Sequence, residues 1–270
     1  MARDYIARDP RTGKAIRRRG TEVDVDIRGL LPPAGTWQRI PAHEILPLAR
    51  GDSDGLQLTR GQGGGFARRV DAIHALHRVM QSQIEDAHGV LLDILDDDES
   101  GHRVAGLRAL PVFALKKHDG LLQCLSDRLL DEDPQVEDAA RDCLLKVAPV
   151  FPSGCEEILR RELRNQRQDC RANAFEALRL TAESWPEAGC LHLDELIREE
   201  DRDLRRRGSK ILRTIASKAG ATGWDLIGWS LEDEDALVRR NASNTLITLA
   251  NNEPGIATIF IESAMLDEDD

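Results

Sequence analysis

A few side chains in this chain are of types that could do chemistry, beginning with the histidines. His74 and His77 lie three residues apart, and His88 follows shortly after. Two histidines one turn apart on a helix can supply part of a metal site, but such a site needs a further ligand at a defined spacing. No such ligand accompanies this pair, so we interpret these histidines as helix-surface residues and expect no metal and no cofactor.

The five cysteines are odd in number and contain no Cys-x-x-Cys pair, which is typical of free thiols in a reducing compartment. Cys143 and Cys170 occupy positions that are otherwise mostly apolar, so we expect buried thiols instead of reactive ones. The first residues lack the apolar stretch of an export signal, and no apolar run reaches the length of a transmembrane helix. We therefore expect a cytoplasmic protein without a membrane partner.

Acidic and glycine-rich runs raise two further possibilities. Runs such as Asp96–Glu99 and Glu232–Asp235 could suggest calcium, but they lack the glycine and the ligand spacing of a calcium loop. Acidic residues at these places are expected to cap helices. The run Gly61–Gly65 lacks the preceding strand and the following lysine of a phosphate loop, and is interpreted as a flexible linker. No nucleophile motif is present, and we assign no catalytic residue.

Basic residues recur at matching positions near the C-terminus. Arg179 and Arg213 are 34 residues apart, as are Arg206 and Arg240, and Lys210 lies between them. The net charge of −11 argues against a general DNA-coating role but leaves room for a local basic patch. Two interpretations remain open. These five residues form a basic strip that binds an acidic partner, or they lie on a solvated face with ordinary ion pairs.

The strongest pattern in the chain is a 34-residue repeat. A small residue recurs six times at this interval, and a leucine follows each one four residues later. A fixed period of this length predicts stacked structural units. The two columns are Ala72, Gly106, Ala140, Ala174, Gly208 and Ala242, and Leu76, Leu110, Leu144, Leu178, Leu212 and Leu246.

The pattern predicts that each repeat folds as two antiparallel helices, which we call helix A and helix B. Apolar residues spaced four apart, such as Leu91 and Leu95, mark helix A, and the small and leucine columns mark helix B. We expect repeats over residues 66–270. The first repeat is predicted to start as a lone helix near Phe66, without a helix A.

Residues 1–65 do not follow the repeat and are expected to form an irregular basic arm. Alternating residues predict a strand over Thr21–Ile27, pairing with Ala15–Arg19. A glycine-rich linker then leads to the repeats. We expect Trp37 to anchor this arm onto the first repeat.

Acidic turn residues followed six positions later by arginine resemble the HEAT repeat, over roughly residues 66–266. The resemblance implies an all-α, right-handed α-α superhelix in which these two columns form a ladder of hydrogen bonds. Departures are Glu137 in place of Arg, Asn165 in place of Asp, and His102 in place of an apolar residue. Tetratricopeptide repeats share the period but carry a large aromatic residue where this chain is acidic. The ladder residues are Asp97, Arg103, Asp131, Arg171, Glu199, Arg205, Asp233 and Arg239.

From the repeat and the absence of a catalytic motif we expect a non-catalytic scaffold or adaptor whose partner is another protein. One alternative is a nucleic-acid binder similar to the HEAT-like DNA glycosylases, which the acidic charge and the 4% aromatic content disfavour. Another is a lyase or metal-dependent enzyme, such as deoxyhypusine hydroxylase, which carries several His-Glu pairs within its repeats. This chain has one such pair, His43-Glu44, outside the repeats. The partner and the oligomeric state are left open.

Overall fold

The computed structural model describes residues 15–16, 22–23, 27–115, 119–216 and 218–266. The chain divides into two compact units, residues 1–155 and 156–270. In the described residues almost all regular structure is helical. The all-α repeat fold predicted from the sequence is confirmed.

The helices alternate between the A and B positions of the repeat. The A helices are α2 (Ala42–Arg50), α4 (Ile84–Leu95), α6 (Asp119–Arg128), α8 (Pro152–Leu163), α10 (Pro186–Ile197), α13 (Ala221–Leu231) and α15 (Pro254–Leu266). The B helices are α3 (Arg69–Ala75), α5 (Ser100–Ala114), α7 (Pro134–Val147), α9 (Gln168–Ser184), α11 (Arg202–Ser209) with α12 (Leu212–Ile215), and α14 (Ala236–Asn252).

Successive B helices pack side by side within each unit. In the first unit α5 lies between α3 and α7, and in the second α11 and α12 pack against α14. The A helices α10, α13 and α15 likewise pack in sequence. Within the first unit, α5 therefore packs against its own A helix, α4, and against the neighbouring B helices α3 and α7, which is how a repeat array buries its core.

The two repeated columns form that core. The leucine column is buried throughout, with Leu246 the most accessible member at 9%. The small column lies against helix A. A Cβ added to Gly106 would stand 3.0 Å from the Cγ2 of Ile94, and one added to Gly208 would stand 3.2 Å from the Cβ of Leu196. Because the helices approach this closely, larger side chains are excluded from the column.

The start of the repeat array differs from the prediction. Helix α2 packs against α3 and α4, so the first B helix has an A helix. The sequence concealed it because α2 carries Pro47 and lies outside the 34-residue register. The predicted lone helix near Phe66 was therefore wrong.

The glycine-rich segment is also more ordered than predicted. Strand β3 (Leu56–Gln57) pairs with β4 (Phe66–Ala67) in antiparallel register, Leu56 opposite Ala67. Gly63, Gly64 and Gly65 all have positive φ, which glycine adopts without steric cost. The run is thus the connection within a hairpin, and the expectation of a flexible linker was wrong.

A short antiparallel pair of strands lies near the start of the described residues. Strand β1 (Ala15–Ile16) pairs with β2 (Glu22–Val23), Ala15 opposite Val23. The predicted strand was too long at its end, because Ile27 already begins helix α1 (Ile27–Leu30). The remainder of residues 1–26 lies outside the described part of the chain.

Trp37 anchors the extension to the first repeat, as expected. It lies in a 3₁₀ turn, Thr36–Arg39, and is 5% exposed. Its indole N–H donates to the carbonyl of Pro33 at 2.7 Å, and its ring meets the ring of His77 edge-on at 5.0 Å. Arg78 donates to the carbonyls of Trp37 and Ile40, so both side chain and backbone hold this segment in place.

Candidate partner-binding site

Four of the turns between helices A and B share one hydrogen bond. In each of them the side-chain oxygen of the residue six positions before the ladder arginine column accepts the backbone N–H two residues later, at 3.0 Å for Asp97, Asp131 and Asn165 and 2.8 Å for Asp233. Asparagine can replace aspartate at this position because the bond requires only an oxygen acceptor.

The arginine six residues later binds that same turn. Arg103 donates to the carbonyls of Asp97 and Asp98 at 2.8 and 3.1 Å. It also donates to Oδ1 of Asp131, in the next turn, at 3.0 Å. One guanidinium group therefore fastens its own turn and joins it to the following one.

Arg205 repeats this arrangement in the second unit with a larger set of bonds. It donates to the carbonyls of Glu199 and Glu200, to Oδ2 of Asp233 at 2.9 Å and to Oε1 of Glu234 at 2.7 Å. The guanidinium and the Asp233 carboxylate are 8% and 7% exposed. A charge pair this buried is strong only when hydrogen bonds satisfy both groups, and every guanidinium nitrogen of Arg205 donates at least one.

The other predicted ladder residues make part of the pattern. Arg171 donates to the carbonyls of Asn165 and Gln166, and Arg239 donates to those of Asp233 and Glu234. Glu199 accepts from Nε of Arg164 at 2.7 Å. Within the described residues, the side chains of Arg171 and Arg239 therefore donate only to turn carbonyls.

One ladder residue was missed. Arg69 lies 34 residues before Arg103 and pairs with Oδ2 of Asp97 at 2.9 Å. The 34-residue column includes Arg69, but no acidic residue stands six positions before it, so the pattern of acidic turn and arginine did not reveal it. Glu137, which stands where the ladder would have an arginine, pairs with Arg141 of the same helix at 2.7 Å. Its charge is therefore balanced within the helix.

The acidic turns also cap helices. Asp133, Asp201 and Asp235 accept the first amides of α7, α11 and α14. Capping satisfies amides that otherwise lack a partner. In the described ranges, no group of three or more His, Cys, Asp or Glu side chains is placed to hold a metal ion.

The histidines of the first repeat are half-buried, and His77 packs against Trp37 of the extension. Burial and the nearby Arg108 lower the pKa of His74 to about 4, against a smaller opposing effect of Asp71. Nδ1 of His77 lies 3.0 Å from the carbonyl of His74, and burial lowers the pKa of His77 as well. These are packed histidines and not the exposed helix-surface residues that we expected.

The His74 pKa predicts acid sensitivity. Between pH 6.5 and about 4 the unfolded chain takes up a proton that the folded chain does not, so stability falls as the pH falls through this window. At pH 5 the loss from His74 is expected to be about 2 kcal/mol. Urea unfolding at pH 7.5 and pH 5.0 should show a smaller loss for His74→Leu than for the unchanged chain. An equal loss in His74→Leu and in the unchanged chain would contradict the assignment.

The cysteines are unreactive in character. Burial raises the pKa of Cys155 and of Cys190 to about 12, and that of Cys143 further still. All five are free thiols. Because the thiolate is the reactive form, these buried residues serve in packing.

The helices α9, α11 and α14 enclose a hollow of about 680 Å³, which we call the B-helix hollow. Three of the five predicted binding residues, Arg179, Arg206 and Lys210, line it. Arg213 and Arg240 are not among its lining residues. Arg179 and Arg206 are 27 residues apart and lie on the adjacent helices α9 and α11. Arg206 and Lys210 are four residues apart, so they lie on one helical face.

The predicted cations differ in how far they are already paired. Arg179 donates twice to Glu176, at 2.6 and 2.8 Å, and also binds Glu183. Arg213 donates to the hydroxyl of Thr248 at 3.2 Å. For Lys210 and Arg240, which are exposed, no hydrogen bond or ion pair is recorded within the described residues. Among the residues that the structure describes, Lys210 is therefore the cation of the hollow without an ion pair.

Arg206 forms the firmest of these pairs. Its Nε and Nη2 donate to the two carboxylate oxygens of Asp235 at 2.9 and 2.7 Å. This bidentate pair lowers the pKa of Asp235 to about 2. Since Asp235 caps α14, Arg206 contributes to the fold as well as to the rim of the hollow.

The apolar floor of the hollow was missed by the sequence reasoning. Phe175 and Ile211 lie beneath the cationic rim, and Leu237 beside them is 46% exposed. The guanidinium of Arg207 stands 5.8 Å from the ring centre of Phe175. The sequence did not reveal these residues because Phe175 lies in α9, Ile211 in the turn between α11 and α12, and Leu237 in α14, so their proximity depends on packing.

Several solved structures are similar to this chain in fold. An engineered protein matches 78% of this chain and 97% of its own at 19% identity, with a TM-score of 0.39. A designed armadillo repeat protein in complex with the peptide (KR)4 matches 78% and 100% at 15% identity and a TM-score of 0.42. The karyopherin Kap121p bound to RanGTP matches at 16% identity and a TM-score of 0.46, over 73% of this chain and 25% of its own.

No protein-family model and no curated protein matches the sequence. No helix in the described ranges combines the length and the apolar character needed to cross a membrane. The function is therefore inferred from the chain's own geometry.

Proposed function

We propose that this protein is a non-catalytic scaffold that binds another protein through its helical-repeat surface. The B-helix hollow receives a segment of the partner that carries both acidic and apolar side chains. The observation that carries the proposal is the pairing of a cationic rim, with Lys210 free, and an apolar floor.

The chemistry of the hollow favours such a segment. Four cationic side chains line it against two carboxylates, Glu176 and Asp203, and Arg179 and Arg207 already pair with those two carboxylates. An incoming carboxylate would meet Lys210 without displacing an existing ion pair. An apolar side chain beside it would cover Leu237, gaining about 25 cal/mol for each Å² removed from water.

The test compares two charge-matched double variants in affinity purification from native lysate, with and without nuclease. Lys210→Glu with Leu237→Ser alters the hollow. The control, Lys146→Glu with Ile247→Ser, makes the same change of charge and replaces an isoleucine that is 66% exposed. Both of these residues lie outside the hollow. Arg206 is left intact because it supports the α14 cap.

We expect a nuclease-resistant protein that the unchanged chain and the control retain and the first variant loses. With the purified partner, the first variant should bind about tenfold more weakly or worse, with affinity falling as salt rises. Equal retention by both variants would refute the hollow as the binding site. Recovery of nucleic acid alone would refute the protein-scaffold proposal in favour of the nucleic-acid binder.

A further inference from the structure

A second hollow, of about 350 Å³, lies at the C-terminal ends of α10 and α13, and we call it the Trp229 hollow. Trp229 is 55% exposed, whereas Trp37 and Trp185 are 5% and 2% exposed. The face of α13 that packs into the core carries Leu226 and Ile227. Trp229 lies outside that buried face, so packing of the core does not account for it.

The exposed indole already binds a cation from its own chain. The guanidinium carbon of Arg198 stands 4.8 Å from the centre of the Trp229 ring, within the range of a cation–π contact. Arg198 also donates to Oδ1 of Asp194 at 2.9 Å, one turn earlier on α10. Arg198 can therefore leave the ring and keep its carboxylate partner.

The surroundings of the ring are acidic. Four carboxylates line the hollow against two guanidinium groups. The Glu234 side chain is 84% exposed although it accepts from Arg205, and Glu232 is exposed beside it. A negative rim around an accessible indole attracts cations and repels an acidic segment such as the B-helix hollow would take.

We propose that the Trp229 hollow binds an arginine side chain of a partner protein. The incoming guanidinium stacks on Trp229 in place of Arg198 and pairs with Glu232 and Glu234 at the rim. Arginine fits better than lysine because its planar group stacks on an aromatic face and binds carboxylates through two parallel hydrogen bonds. Arg198 acts as an internal competitor that occupies the ring when no partner is bound.

The experiment uses the full chain and a labelled, end-capped peptide of alternating glycine and arginine, with binding followed by fluorescence anisotropy. A peptide with citrulline in place of arginine keeps the shape and removes the charge. Trp229→Leu removes the aromatic face without changing the net charge, and circular dichroism checks that the variant is folded. Arg198→Gln removes the competitor, and Arg240→Gln makes the same change of charge on another surface.

We expect Trp229→Leu to weaken binding of the arginine peptide about tenfold. Arg198→Gln should strengthen binding several-fold, and by more than Arg240→Gln does. The citrulline peptide should bind at least tenfold more weakly than the arginine peptide. Unchanged affinity in Trp229→Leu, equal effects of the two Arg→Gln changes, or equal binding of the citrulline peptide would each overturn the proposal.

The result is separable from that of the proposed scaffold function. The variants of the B-helix hollow, Lys210→Glu with Leu237→Ser, leave the Trp229 hollow intact. They should bind the arginine peptide at least as well as the unchanged chain, because they make the protein more acidic.

Discussion

Arg205→Ala is expected to lower the free energy of unfolding by about 3–5 kcal/mol. The substitution removes four hydrogen bonds at once. It leaves the carboxylate of Asp233, which is 7% exposed, without its charge partner and in a place where water cannot replace it fully. Urea unfolding followed by circular dichroism measures the loss, and hydrogen exchange should locate it at the turns on either side of α11.

Arg239 is the matched control for this prediction. It makes the same two bonds to turn carbonyls, but no carboxylate partner is recorded for it within the described residues, and it is exposed. Arg239→Ala should therefore cost about 1 kcal/mol, the value of ordinary hydrogen bonds. Similar losses in the two variants would show that the ion pair with Asp233 contributes nothing to stability.

Trp37→Ala is expected to destabilise the first unit by about 3 kcal/mol. The ring is 5% exposed, so its removal leaves a cavity beside His77 and leaves the Pro33 carbonyl without its indole donor. Because Arg78 binds the backbone of the same turn, part of the contact should survive. Urea unfolding gives the magnitude, and hydrogen exchange should show faster opening of α2 and α3.

A second tryptophan provides the comparison. Trp229→Ala removes the same side chain from an exposed position, and a surface substitution of this kind changes stability by about 0.5 kcal/mol. Trp37→Phe should lie between the two alanine variants, since it keeps most of the ring and loses the N–H donor. If Trp37→Ala were as mild as Trp229→Ala, the extension would not depend on this anchor.

The repeat could be predicted from sequence because its constraint is local and recurs. A helix that packs closely on its neighbour needs a small residue at the contact, so Gly106 and Gly208 stand where Cβ atoms would crowd Ile94 and Leu196. The turn needs an oxygen acceptor two residues before an amide, which explains both the aspartates and Asn165. Each rule acts within a few residues, and repetition makes it visible.

The start of the array was harder to predict because it is used once. Helix α2 occupies the A position without sharing the repeat's spacing, and the hairpin of β3 and β4 depends on a pairing across nine residues. Single-copy elements are positioned by what they pack against. The ring of Trp37 against His77 is such a contact, and the sequence could only suggest it.

The sequence by itself determined the all-α repeat, its period, the residues of its core and the cationic positions near the C-terminus. Only the tertiary structure decided which of those cations are free. Arg179 and Arg206 are held by carboxylates, whereas Lys210 has no carboxylate partner among the described residues. The tertiary structure also brings Phe175, Ile211 and Leu237 together in the B-helix hollow and places the guanidinium of Arg198 over the ring of Trp229. The physical reason is that charge and hydrophobic character belong to single residues, but pairing and exposure depend on distances between helices that no local pattern encodes.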